Sequence, residues 1–103
     1  MTYAKKVDDN QGEIVKTFRS LGAKVVSTHM VGQGFPDLVV QYHFPQRRWH
    51  SLETLLVEVK DSEKPPSKRK LTPAQEVFHS MFECHIVESV RDVFDLLGID
   101  YED

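Results

Sequence analysis

The sequence predicts a small mixed fold of the α/β (α+β) class, with one short sheet and helices packed on it. Three observations predict it. Stretches with helical spacing and stretches rich in β-branched residues take turns along the chain, which separates helices from strands. The connections between them are short, which limits how the strands pair. The 103-residue length suits one domain, taken as 1–103 with a core at about 10–98. At that size folding hides roughly two-thirds of the unfolded chain's surface, enough for one modest core.

The first run, 9–21, places Ile14, Phe18 and Leu21 at helical spacing with Val15 beside them, and Gly22 follows as a stop. AKVVSTH is short and β-branched, a strand. The glycines of VGQGFP break the pattern. DLVVQYHF and LETLLVEVK read as the next two strands, and the short PQRRWHS between them points to an antiparallel hairpin. DSEKPPSKRK, polar and with two prolines, reads as an irregular loop. LTPAQEVFHSMFE opens with a strong helix start: Thr72 as cap, Pro73 at the first position, and Gln75 where a capping box wants Glu or Gln. CHIVE is a fourth strand. SVRDVFDLLG is a last helix, with Ser89 as cap, Val90, Val93, Phe94 and Leu97 inward, and Gly98 as stop. The order is α-β-β-β-α-β-α, a hairpin followed by strand–helix–strand, so the sheet is mixed and its crossover right-handed.

Composition bounds the function. Hydrophobic residues at 40% and charged residues at 28% exclude a disordered chain. No apolar run approaches the ~20 residues that cross a bilayer, and the start MTYAKKVDDNQ lacks the apolar stretch of a secretory signal. A cytoplasmic protein is expected. The single cysteine, Cys84, excludes an internal disulfide and a cysteine-built zinc site, and its apolar-flanked position suits a small core residue. A net charge of −3 argues against nonspecific coating of nucleic acid, although SEKPPSKRK is a local basic patch that can attract phosphate.

The hairpin carries the chemistry. Asp37 begins one strand, and Glu58 and Lys60 end its neighbour. Side chains alternate with a period of two, so Glu58 and Lys60 share a face, and any register that sets Asp37 opposite either adds it to that face. Paired carboxylates repel and are costly to desolvate. A divalent cation resolves the repulsion; hard oxygens from Asp and Glu, with a backbone carbonyl between them, suit Mg²⁺ or Mn²⁺. Such an ion polarises a phosphoryl oxygen and lowers the pKa of a bound water. Lys60 can orient that nucleophile or offset charge developing on the phosphate. Glu13, on the first helix, is a candidate further ligand or proton acceptor if that helix packs across the sheet edge. The bland alternative is that Glu-Val-Lys at a strand end and Pro-Asp after glycine are both common, the latter as a turn into a strand.

Taken together, the helix-borne Glu13, the run GFPDLVV containing Asp37, the VEVK that ends in Lys60, and LTPAQ opening the next helix resemble the PD-(D/E)XK nuclease superfamily. Within it the chain looks most like the VRR-Nuc family, and IVESVRDVFDLL fits that family's ending. The resemblance implies a restriction-endonuclease-like αβββαβ(α) domain and a metal-dependent DNA endonuclease. It implies that Asp37 and Glu58 bind metal with the Val59 carbonyl, that Lys60 is the catalytic lysine, that Glu13 is the acidic residue of the first helix, and that Gln75 is the glutamine of the helix after the lysine. Gln75 can equally serve only its capping box. The resemblance further suggests branched DNA such as Holliday junctions, in a bacterial cell or phage-infected host. Cutting two opposed strands needs two sites, which a homodimer supplies. The acidic balance and the want of a basic accessory domain depart from what a stand-alone DNA enzyme leads one to expect.

Around this centre, Lys64, Lys68, Arg69 and Lys70 follow the catalytic strand, and Arg47 and Arg48 lie in the hairpin connection. They either grip the DNA backbone, setting position without reading bases, or are solvated loop residues. Trp49 is a stacking residue or a partly buried loop anchor. His29, His43, His50, His79 and His85 lack zinc-like spacing and read as structural, with His29 and His79 the least firmly so. Phe78, Met81 and Phe82, at helical spacing, read as core. Nothing forms a nucleophilic triad. The rival functions are a nicking or restriction-like nuclease on linear DNA, and a non-catalytic DNA-binding module.

Overall fold

Val, Leu and Ile at alternating positions build one four-stranded sheet, seen in a computed structural model that describes residues 9–49 and 51–102. Strands β1 (Lys24–Ser27), β2 (Leu38–His43), β3 (Leu52–Val59) and β4 (His85–Val87) are interleaved with helices α1 (Gln11–Ser20), α2 (Pro73–Met81) and α3 (Val90–Leu97). Spatial order follows chain order, β1-β2-β3-β4. The two short connections produce antiparallel pairs, β1/β2 and β2/β3, whereas the passage through α2 makes β3/β4 parallel. The mixed sheet and the element order expected from the sequence are both present.

One sheet face is the core. Val25, Leu38, Val40, Tyr42, Leu55, Val57, Val59 and Val87 turn toward it and meet Ile14 and Phe18 of α1 and Val93 and Leu97 of α3. Gln11, Ile14 and Phe18 are the buried positions of α1, a stripe with i, i+3, i+7 spacing. Leu21 caps α1 rather than extending it. Ser89 caps α3 by accepting from the Asp92 amide, and Gly98 ends it in the left-handed region.

The opposite face carries Val26, Val39, Leu56, Glu58 and Ile86. Of these, Val26 and Ile86 are exposed and only Glu58 is fully buried. Helix α2 stands over the Glu58 end of this face, and its position corrects several expectations. Met81 and Phe82 are exposed and Phe78 is half-buried, packed on Phe35 and Phe82 rather than in the core. The Phe35 and Phe78 rings meet edge to face at 5.2 Å, and Phe78 stacks on Phe82 at 4.7 Å. Cys84, in the connection ahead of β4, is half-buried rather than core. Trp49 is 80% exposed rather than partly buried as a loop anchor. The segment expected to be irregular contains one 3₁₀ turn, Pro66–Lys68, which proline's fixed φ favours.

Candidate functional site

Strand β2 begins one residue after Asp37, and the β2/β3 register pairs Leu38 with Val57. Continued by one step, that register sets Asp37 opposite Glu58. Beyond the end of β2 the ladder loses its next backbone acceptor, and a side chain replaces it: the Val59 N–H donates to Asp37 Oδ2 at 2.9 Å. The Asp37 carboxylate is therefore held one peptide from Glu58. The Val59 carbonyl points to the same side of β3 as its N–H, toward Asp37. On the other flank the Thr28 N–H donates to the Asp37 carbonyl at 2.7 Å, tying the end of β1 to the same residue.

Glu58 and Lys60 are two residues apart at the end of β3, and Gln75 of α2 bridges them. Gln75 Nε2 donates to Glu58 Oε2 at 3.0 Å, and Lys60 Nζ donates to Gln75 Oε1 at 3.0 Å. Lys60 Nζ lies 3.8 Å from Glu58 Oε2 directly. All four polar residues are buried: Asp37 is 3% exposed, Glu58 1%, Lys60 7% and Gln75 2%. Burying charge costs several kcal/mol per ion unless hydrogen bonds and opposite charge offset it, and here a neutral amide supplies both a donor and an acceptor.

The two readings of Gln75 prove compatible. Its Oε1 also accepts from the Thr72 N–H at 2.9 Å while Thr72 Oγ1 accepts from the Gln75 N–H, so the capping box is complete. The cap fixes the side chain in the orientation that meets Lys60 and Glu58.

Gly34 sets the distance of α2 from the sheet. Its φ is +82°, and a Cβ there would lie 2.3 Å from the Ala74 carbonyl oxygen and 2.9 Å from the Gln75 nitrogen. Only glycine allows the loop before Asp37 to touch the first turn of α2. The N-terminus of α1 is pinned nearby: Asn10 Nδ2 donates to the Lys60 carbonyl at 3.0 Å and to the Glu88 carbonyl at 3.1 Å.

Asp37, Glu58, Lys60 and Gln75 are brought together; other residues singled out in the sequence are not. Glu13 is exposed on α1 and lines a groove with Asp9, Asp61, Glu63 and Glu88. It falls off the i, i+3, i+7 stripe that faces the sheet. The inward residue is Gln11, whose polar character on that stripe was the available signal. Arg69 Nη1 pairs with Glu88 at 3.1 Å and Lys64 Nζ lies 3.9 Å from Asp9, whereas Lys68 and Lys70 are exposed. Arg47 pairs with Glu53 across the hairpin and stands 4.3 Å over the Phe44 ring, while Arg48 is exposed.

Among the histidines, His29 Nδ1 is 2.7 Å from Ser27 Oγ, His43 Nδ1 is 3.5 Å from Ser51 Oγ, and His85 pairs with Glu83. His50 lies outside the described residues. His79, one turn beyond Gln75 on α2, has its pKa lowered by burial and by the nearby Lys60 charge. Cys84 has its pKa raised by burial first, then by Glu58 and Glu83, which keeps it a thiol.

The donors at the site are hard oxygens: two buried carboxylates and a main-chain carbonyl, of the kind Mg²⁺ and Mn²⁺ take. Among the described residues, no group of three or more His, Cys, Asp and Glu is placed to hold a metal, so a bound ion would depend on neutral oxygens and water as well. Among the described residues, no helix is long and apolar enough to cross a membrane. Comparison of the chain with family models, curated proteins and solved structures returned no match.

Proposed function

We propose that this protein is a Mg²⁺- or Mn²⁺-dependent DNA endonuclease of the VRR-Nuc type, acting in the cytoplasm of a bacterial cell or phage-infected host. The observation that carries the reading is the buried Lys60–Gln75–Glu58 bridge beside an Asp37 carboxylate fixed on the Val59 amide. A fold has little stability reason to bury two carboxylates and an ammonium at a sheet end, since apolar residues of similar volume serve at least as well. Buried, converging charges of this kind are a mark of chemistry.

Asp37, Glu58 and the Val59 carbonyl would hold the ion, which when bound polarises a phosphoryl oxygen and lowers the pKa of a coordinated water. The chain's own residues do the remainder. Gln75 holds Lys60 Nζ in place, so the ammonium meets the phosphate without reorganising and offsets charge as it develops. Asp37 cannot swing away while the Val59 amide donates to it. Lys68, Lys70 and Arg48, exposed at the surface, are the better candidates for DNA backbone contacts than Arg47 and Arg69, which are engaged by Glu53 and Glu88.

The substrate proposed is branched DNA such as a Holliday junction, cut by a homodimer that presents two sites. The test is incubation of the purified protein with labelled four-way junction, flap and linear duplex, with and without Mg²⁺ or Mn²⁺. Metal-dependent nicking of the junction that is lost in Asp37→Asn, with junction binding retained, is the expected result. Cleavage of linear duplex at equal rate favours a nicking or restriction-like enzyme, and binding without cleavage by the unaltered protein means a DNA-binding module. A monomer by light scattering at micromolar concentration counts against the junction-resolving version.

A further inference from the structure

One buried polar side chain close to this site has no part in the bridge. Gln11 opens α1 and is 5% exposed, yet its Oε1 has no hydrogen-bond partner among the described residues. Its location follows from its neighbours. Asn10, just before it, is bonded to the Lys60 carbonyl at the end of β3, and Gln11 Nε2 reaches Ser27 Oγ, 3.4 Å away at the end of β1. Between those strands lies β2, whose first residue, Leu38, pairs with Ser27. The Gln11 side chain thus crosses the sheet end where Asp37 emerges, from the core side.

The amide is oriented by its contact with Ser27, which in turn touches His29. Ser27 Oγ lies 2.7 Å from His29 Nδ1. Gln11 Nε2 donates to Ser27 Oγ, so the amide end at Ser27 is the NH₂ and Oε1 points away from it. An apolar side chain of the same length would fill the space with no unmet acceptor, so burial alone does not account for glutamine here.

We propose that Gln11 is a positioning residue of the cation site: its Oε1 accepts a hydrogen bond from a water on the divalent ion, and Ser27 and His29 hold the amide in place. This rests on the reading of Asp37 and Glu58 as metal ligands and adds a neutral oxygen on the opposite flank. With Gln11 and Gln75 both uncharged, two carboxylates and Lys60 leave the site a formal charge of −1, which suits one divalent ion and not two.

The experiment is Mn²⁺ titration of the unaltered protein and of Gln11→Met, Gln11→Glu, Ser27→Ala and Asp37→Asn, with free Mn²⁺ read by electron paramagnetic resonance and folding checked by circular dichroism. One Mn²⁺ per chain is expected. Outer partners of a metal typically contribute 10–100-fold in affinity, so Gln11→Met should weaken binding about tenfold. Gln11→Glu, which restores the oxygen and adds charge, should bind at least as tightly as the unaltered protein. Ser27→Ala should weaken binding by a smaller factor, and it keeps the question open to test if Gln11→Met does not fold. If Asp37→Asn abolishes binding while the Gln11 and Ser27 variants stay within about twofold of the unaltered protein, the inference fails and the site reading survives. Two Mn²⁺ per chain also overturns it, and an unaltered protein that takes up no Mn²⁺ sinks both.

Discussion

Replacing Gln75 by Leu separates its two structural roles. The side chain accepts from Lys60 Nζ and from the Thr72 N–H and donates to Glu58 Oε2, at 2.9–3.0 Å in each case. Two of these bonds involve charged groups, worth about 1.5–3 kcal/mol each, and the third is an ordinary cap bond of about 1 kcal/mol. A simple sum overshoots, because Lys60 and Glu58 are already 3.8 Å apart and can close on each other when the amide is gone. A loss of about 3–5 kcal/mol is therefore expected, a large part of the roughly 5–15 kcal/mol that holds a small domain together. Thr72→Ala provides the comparison. It removes only the cap contact to the Gln75 amide, leaves the bridge intact, and should cost about 1 kcal/mol. The assay is urea unfolding followed by circular dichroism, with both variants measured at one pH. Equal losses in the two variants would refute the reasoning, because Gln75 would then be a helix cap and nothing more.

Two further predictions concern the same corner of the molecule. Gly34→Ala combines a left-handed φ of +82° with a Cβ at 2.3 Å from the Ala74 carbonyl oxygen. A strain of about 1–2 kcal/mol adds to a backbone clash of about 1–3 kcal/mol, so a lowered thermal midpoint and a loss of the proposed cleavage are expected; an unchanged midpoint would mean that the loop does not press on α2. His79 has a lowered folded-state pKa, so its contribution to stability is complete above the unfolded value near 6.5 and is lost as pH falls through the folded value. Unfolding measured from pH 7.5 to pH 5 should therefore show less loss of stability in His79→Gln than in the unaltered protein; parallel pH profiles would refute the shift.

Much of the site was legible because strand geometry is rigid. Asp37, Glu58 and Lys60 come together through a side-chain period of two and a short antiparallel hairpin, both visible in the order of residues, while the register that sets Asp37 beside Glu58 is fixed only in the folded sheet. Gln75 was legible twice over, since the capping box that names its position also aims its side chain. Glu13 was misplaced for an equally physical reason. Charge drew attention to it, but helical phase decides which side chain faces the sheet, and the phase of Ile14 and Phe18 selects Gln11.

The chain by itself determined the element order, the antiparallel hairpin, the helix caps and the face shared by the charged residues. These depend on neighbours a few positions apart or on a short connection, so local chemistry suffices. Only the tertiary structure decided where α2 lies, and with it whether Phe78, Met81 and Phe82 are core. The Gly34 contact that seats α2 joins residues forty positions apart. It likewise decided which cations are paired, because the hairpin that brings Arg47 to Glu53 and the loop path that brings Arg69 to Glu88 are properties of the folded chain. A helix states in its sequence which face is apolar; what that face will meet depends on the packing of segments far away along the chain.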